Sequence, residues 1–344
     1  MRRAEYAENL RRIADLQRSA ADGSLVTSRM YSADRETEPE VPAKIGYSAR
    51  DRRRLAERVR RGDLERIRPG VLMVPIDDGL RPHEVSELVT LRTVRAVVER
   101  SRSSLWVSHQ TALLLHGCWT FRSGTAVHVT HLSNPNIDHE HETDVVRHWT
   151  KLPDRDRSTV SGIPVTTLER SLVDSIRSLK PDSALVAADS AFRRGASTVL
   201  VQRIVAESVG KRGVVQARET LRRADPRSGS PGESIVRAAM HRARDVNPSL
   251  QIPVKTRIGT FWVDVGWPDL KVGFEFDGAV KYSGGAFGDP ELAQRERARR
   301  VRALEEAGWL IFEVKWADVG DPARLDALVY DAFLLGLAHM RRVG

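Results

Sequence analysis

The chain has 344 residues, 41% of them hydrophobic and 29% charged, a composition ordinary for a soluble globular protein and long enough for two or three domains. Its 55 Lys and Arg stand against 46 Asp and Glu, and most of the excess is arginine, which favours an anionic partner such as nucleic acid. A single cysteine, Cys118, excludes an internal disulfide framework and a cysteine-based zinc site, and no apolar run reaches the length of a membrane span, so a cytoplasmic protein with no membrane partner is expected.

The first segment spaces Tyr6, Leu10, Ile13 and Leu16 at helical intervals, and "DGSLVTSRMYSA" is read as the start of a second, short helix. The polar, proline-bearing "DRETEPEVPAK" is read as a loop. In "YSARDRRRLAERVRRGDLERIRPGVLMVP", Ser48 and Asp51 have the spacing of a capping box, and Leu55 and Val59 mark the buried side of a helix that ends at Gly62. A hairpin turning at Pro69-Gly70 follows. A helix followed by a basic two-stranded ribbon is the pattern of a winged helix-turn-helix. Residues 48–70 carry nine arginines against four acids, so attraction to phosphate survives local compensation. The DNA-binding candidates are Arg52, Arg53, Arg54, Arg58 and Arg61 on the helix, with Arg66 and Arg68 on the ribbon. A solvated charged helix without a partner is the alternative.

From about residue 79 the chain alternates helices and strands. "HEVSELVTLRTVRAVVERS" predicts a helix, "LWVSHQTALLLHG" a strand and a helix from Ser108, and "AVHVTHL" a strand. "GIPVTTLERSLVDSIRSL" predicts a strand running into a helix, and "PDSALVAADSAFRRG" and "VLVQRIVAE" two more helices. Without a Gly-rich phosphate loop, this region reads as an α/β domain with no nucleotide site. His139 and His141 in "DHEHE" read as part of an exposed polar loop, with a metal-binding pair as the alternative, and His109 and His116 as packing residues on one helix. "RRADPRSGSPGES" is read as a linker.

The last region predicts helix, three strands, helix, strand and helix, an αβββαβα order. Within it, "TFWVDVGWPDLKVGFEFDG" reads as a hairpin turning around Pro268-Asp269, with Asp264 opposite residue 274 or 275. Asp264 and Glu275 then lie roughly 5 Å apart as cross-strand neighbours. Two carboxylates that close repel unless protonated or bridged by a cation, and oxygen ligands suit Mg²⁺ or Mn²⁺. Such an ion with a nearby lysine activates water against a phosphodiester. Salt-bridged acids on an exposed sheet face are the alternative, with Arg295, Arg297 and Arg299 as partners.

Two resemblances run along these motifs. Residues Glu233 to Trp316, with "EFDGAVKY", resemble the PD-(D/E)XK nuclease superfamily in its very-short-patch-repair-endonuclease-like branch. The resemblance implies a metal held by Asp264 and Glu275, with Glu233 as the first-helix acid. Asp277 stands where that motif has lysine, and Lys281 or Lys315 is the candidate substitute. "RRGDLERIRPGVLMVP", "VSHQTALLLHG" and "GIPVTTLERSLVDS" are similar to AbiEi-type antitoxins, which implies operator binding, repression of a toxin–antitoxin operon and a toxin partner. The expected architecture is therefore multidomain α/β. It comprises a winged helix over residues 1–78, an α/β middle domain over 79–225 and a PD-(D/E)XK-like domain over 226–344. Two functions are expected: a DNA endonuclease directed by the winged helix, with Glu233, Asp264, Glu275, Asp277 and Lys281 as its catalytic set, or a repressor acting on double-stranded DNA without cleavage.

Overall fold

Helical spacing of Tyr6, Leu10 and Ile13 buries one side of the first helix, α1 (Arg2–Ala21), in the computed structural model of the protein. The structure describes residues 2–21, 51–68, 71–77, 79–101, 103–133, 143–244, 246–277 and 290–343. Ser48, the expected second helix after α1, the loop from residue 34, the turn Pro69-Gly70, the "DHEHE" loop and Lys281 lie outside them. The chain divides into two compact units, Met1–Ala14 with Ala33–Arg222, and Asp15–Ser32 with Arg223–Gly344. Among the described residues, no helix is long and apolar enough to cross a membrane.

In the first unit, α2 (Arg52–Arg60) precedes an antiparallel hairpin of β1 (Glu65–Arg68) and β2 (Val71–Met73). Leu55, Leu64 and Leu72 join helix to ribbon in a small core, with Val59 packed against it. Gly62, at φ +81°, lets the chain leave α2 in a left-handed conformation that L side chains resist. Next come α3 (Pro82–Arg100), β3 (Leu105–Val107), α4 (His109–Leu115), β4 (Val127–His131), β5 (Val145–Trp149), β6 (Arg157–Val160) and β7 (Ile163–Thr166). Strands β3 to β7 form one mixed sheet in the order β5-β4-β3-β7-β6. Val107, Val129, Ile163 and Val165 are fully buried and pack with Val94 of α3 and Leu115 of α4. Four helices follow: α5 (Leu168–Ile176), α6 (Pro181–Arg193), α7 (Thr198–Glu207) and α8 (Val214–Arg223). Strands β5 and β6 and helix α8 are additions to the sequence reading. The α/β class is as expected.

The second unit contains α9 (Pro231–Ala243), β8 (Ser249–Thr256), β9 (Gly259–Trp267), β10 (Val272–Asp277), α10 (Pro290–Glu306), β11 (Leu310–Lys315), a short α11 (Trp316–Gly320) and α12 (Pro322–Val343). Its sheet runs β11-β10-β9-β8, antiparallel except for β10 and β11, which α10 connects as a parallel crossover. Leu304 of α10 packs with Ile252, Val254, Val263 and Trp309. Phe333 of α12 meets Trp267 edge-on, with ring centroids 5.4 Å apart. The stretch read as a linker is largely buried: Ala224, Asp225 and Ser228 are each at most 4% exposed, and Arg227 closes a fork on Asp225 at 2.8 and 3.1 Å. Its polar composition reflects local side-chain-to-backbone bonding and not solvation.

The β9–β10 hairpin tolerates no side chain at its close approach. A methyl carbon at Gly266 would fall 2.3 Å from the Val272 carbonyl oxygen. Gly266→Ala is expected to destabilise this unit by about 1–3 kcal/mol or more. Denaturant unfolding followed by tryptophan fluorescence checks this, since Trp267 is the neighbouring residue.

Candidate functional site

Register decides where the acids of the second unit go. Strands β9 and β10 pair as Trp267↔Val272, Gly266↔Gly273 and Val265↔Phe274, and the ladder stops there. The same register carried one step further would set Asp264 across from Glu275. Past the end of the ladder, Asp264 Oδ2 accepts the Phe276 N–H at 3.3 Å.

Glu275 is only 4% exposed, and a carboxylate that deep needs a countercharge. Arg300 of α10 supplies it. Its Nη1 donates to Glu275 Oε2 at 2.9 Å, and Nη2 lies 2.7 Å from Oε1 while donating to the Trp262 carbonyl oxygen. The Nη2 contact is charge attraction more than an aligned hydrogen bond. Arg300 was not among the expected partners Arg295, Arg297 and Arg299, of which Arg297 lies 3.4 Å from Glu313.

Glu233 has a local role at the start of α9. Its N–H donates to Ser230 Oγ at 3.2 Å, while its Oε1 accepts from that hydroxyl at 3.0 Å and its Oε2 from the Gly229 N–H at 2.7 Å. This is a reciprocal helix cap. Gln251 of β8, which the sequence reading passed over, reaches Glu233 Oε2 at 3.4 Å from within the sheet. Asp277 ends β10 in register with Lys315, which is exposed and lies 3.4 Å from Glu313. The Asp277 side chain and Lys281 lie outside the described residues.

Magnesium or manganese would need open oxygen ligands. Both oxygens of Glu275 face one guanidinium, Asp264 holds a strand N–H, and Glu233 caps a helix. Arg300 occupies both oxygens of Glu275, so a divalent cation held there would have to displace it.

The arginines of the first unit divide into two sets. Arg53, Arg54, Arg61 and Arg66 are exposed and Arg58 is half-buried, whereas Arg68 turns inward to Asp144, with Nε to Oδ2 at 3.1 Å. Arg61 also pairs with Glu57. The Arg52 side chain lies outside the described residues.

A third grouping went unread in the sequence. His128 on β4 and His148 on β5 share a sheet face, because β4 and β5 pair as His128↔Val146 and Thr130↔His148. His109, the first residue of α4, stacks on His148 with ring centroids 3.8 Å apart. His128 Nδ1 lies 3.0 Å from His148 Nε2. Burial pushes His109 down to about 3, with only partial offset from Asp174, and burial followed by repulsion from His148 takes His128 down to about 4. Burial lowers His148 as well. The three rings are neutral at neutral pH. Asp174 is held from behind by Arg170 Nε at 2.6 Å and Arg177 Nη1 at 3.1 Å. No spacing rule could have found this set, since the sequence reading missed β5 altogether.

No protein-family model matches the chain, and no solved structure matches it. Two uncharacterized proteins of Mycobacterium tuberculosis, from strains H37Rv and CDC 1551, are each 34% identical over 173 residues. Each match covers 49% of this chain and 62% of the relative, so the chain spans less than two thirds of those relatives.

Two outcomes follow. Arg300→Ala strands a buried carboxylate and is expected to cost about 3 kcal/mol in denaturant unfolding, with Glu275→Gln added to Arg300→Ala restoring part of the loss. The histidines give an acid dependence. Folded values below the ordinary 6.5 mean that the unfolded chain takes up protons first, so stability is level above that pH and falls as pH drops toward 4. Urea unfolding at roughly pH 7.5 and pH 5 should show the decline, and His128→Gln should shrink it.

Proposed function

We propose that the protein binds double-stranded DNA through α2 and the β1–β2 ribbon and acts as a regulator of the antitoxin kind, without cleaving its target. The observation that carries this is the set of exposed arginines on a helix and a ribbon joined by one small core. Guanidinium groups fixed on such a scaffold hold phosphates in register, and neutralising phosphates releases counterions. The resemblance to AbiEi-type antitoxins supports the reading and adds a toxin as the second partner. The C-terminal unit, in the same reading, is a PD-(D/E)XK-like domain kept for binding, since Arg300 answers Glu275 and Asp277 stands at the motif's lysine position.

A second reading, metal-dependent hydrolysis of DNA, rests on a β9–β10 register that, carried one step past the ladder, would set Asp264 across from Glu275 in an αβββαβα unit. It requires Arg300 to release Glu275.

Fluorescence anisotropy on labelled duplexes over a salt series tests the first reading. Wild type should bind with a steep salt slope, and Arg53→Ala/Arg54→Ala/Arg66→Ala should weaken binding and reduce the slope by about 0.9 for each phosphate that is no longer neutralised. Unchanged affinity and slope in the triple variant would overturn the assignment of the surface. The same duplexes and a supercoiled plasmid, incubated with Mg²⁺ or Mn²⁺, should stay intact. Nicking that Asp264→Ala/Glu275→Ala abolishes would establish the second reading instead.

A further inference from the structure

We propose that His109, His128 and His148 form a binding site for a divalent transition-metal ion of the imidazole-preferring class, with Zn²⁺ as the expected occupant. One ring nitrogen from each residue lies within 4.8 Å of the others, and among the described residues this is the three-ligand group that meets that test. Two ligands come from adjacent strands of a sheet and the third from the helix that follows β3, so the group sits on regular elements and not on a loop. Rigid placement of this kind is what a metal site requires.

One of the distances is close to what the ion needs. Zinc takes imidazole nitrogen at about 2.0–2.1 Å, which at a tetrahedral angle puts two such nitrogens about 3.4 Å apart. His128 Nδ1 and His148 Nε2 stand at 3.0 Å, a few tenths of an ångström short of that. In the metal-free arrangement a single proton between them makes a hydrogen bond; replacing it with a cation needs the two rings to part and turn until their lone pairs converge, and needs His109, stacked on His148 with ring centroids 3.8 Å apart, to leave that stack.

The surroundings also suit it. A metal-binding histidine usually donates its other ring N–H to an oxygen nearby, which fixes the tautomer. Gln110 sits 2.6 Å from His128 Nε2 through its amide nitrogen, while its own Oε1 is buried without a hydrogen-bond partner. The two ends of an amide exchange by a half-turn. Turned over, Gln110 Oε1 accepts the His128 Nε2–H, its amide NH2 takes the buried place the oxygen held, and the lone pair of Nδ1 is left facing His148. Ser108 Oγ stands 3.0 Å from His109 Nδ1 and accepts in turn from Thr130 Oγ1 at 2.8 Å, which holds that ring as well. Three neutral nitrogen donors select zinc, cobalt, nickel or copper over magnesium or calcium. Three histidines leave a fourth position for water or a substrate atom, and His128 and His148, both half-buried, are reachable from solvent. This site is independent of the DNA-binding reading and of the carboxylates in the other unit.

The test uses the full chain, stripped with a chelator and titrated with Zn²⁺ in calorimetry and with Co²⁺ in visible absorption. One equivalent per chain is expected, with ligand-field bands of a four- or five-coordinate nitrogen-rich cobalt site, and Zn²⁺ should raise the melting temperature. His148→Gln and His128→Gln should each lose that equivalent. His139→Ala/His141→Ala, which removes the other histidine pair in the sequence, should retain it. Gln110→Ala should weaken Zn²⁺ binding by about 10- to 100-fold with the circular dichroism spectrum unchanged. If the histidine variants fail to fold, the Gln110→Ala affinity and the wild-type cobalt spectrum decide. Absence of a stoichiometric Zn²⁺ site in wild type overturns the proposal. So does an equivalent that survives His148→Gln and vanishes in His139→Ala/His141→Ala.

Discussion

Arginine answering a buried carboxylate is the interaction around which both units are arranged. Asp156 and Asp174 of the first unit are at most 4% exposed, and Arg170, itself 5% exposed, bridges them at 3.2 and 2.6 Å. Glu275 of the second unit, equally deep, is answered by Arg300. A desolvated charge of this kind costs several kcal/mol, and a well-formed pair only offsets that. The pairs therefore add less to stability than to uniqueness. Arg170 has one position in which both acids are satisfied, which fixes α5 against the turn that precedes β6. Arg300 reaches Glu275 and the Trp262 carbonyl oxygen together, which fixes α10 over the sheet.

This inward use of arginine changes what the positive balance of the chain means. Arg68, Arg92, Arg170, Arg177 and Arg300 each pair with an acid of their own unit. An argument from net charge treats them as available to a polyanion, and they are not. What remains is local: exposed arginines on α2 and β1, whose intervening acids cancel part of the field but leave the guanidinium groups in place. Affinity for DNA would then rest on geometry in a short stretch more than on the chain's overall charge.

Much of the second unit was legible because its signals are local. Period-two alternation and the Pro268-Asp269 turn placed β9 and β10 correctly and brought Asp264 opposite Glu275 to within one residue. Arg300 was not legible as the partner, since which arginine of "RERARR" turns inward depends on the phase of α10 against the sheet. In the first unit, "VVRHW" and "RSTV" read poorly as strands because they are short, basic and only half-buried, and pairing with β4 and β7 decides their state. Missing β5 hid His148, and without it His109 read as a packing residue and His128 as one more residue of a strand. The buried stretch before α9 was misread for the opposite reason: Gly, Pro and Ser there build a cap for α9 and not a flexible tether.

Backbone strain marks the same two places. Among the described residues five non-glycine residues have positive φ, and three of them, Arg122, Ser161 and Lys271, lie in turns or bends where such values are common. The other two sit inside regular elements: His109 at the head of α4 with φ 55°, and Gln251 within β8 with φ 50°. Each such conformation costs on the order of 1–3 kcal/mol and persists only where its surroundings over-determine it. For His109 those surroundings are the Ser108 N–H bonded to the His128 carbonyl oxygen at 2.8 Å and the stack on His148. For Gln251 they are the β8–β9 ladder on both sides and the reach to Glu233. A helix could begin at residue 109, and a strand pass through residue 251, without strain if only packing were at stake. The left-handed turn at each point aims a polar side chain into a cluster of titratable groups, so the cost falls where chemistry can use it. In the first unit that cluster is three imidazoles with Asp174 beside them, and in the second it is Glu233, held by the Ser230 hydroxyl and the Gly229 N–H.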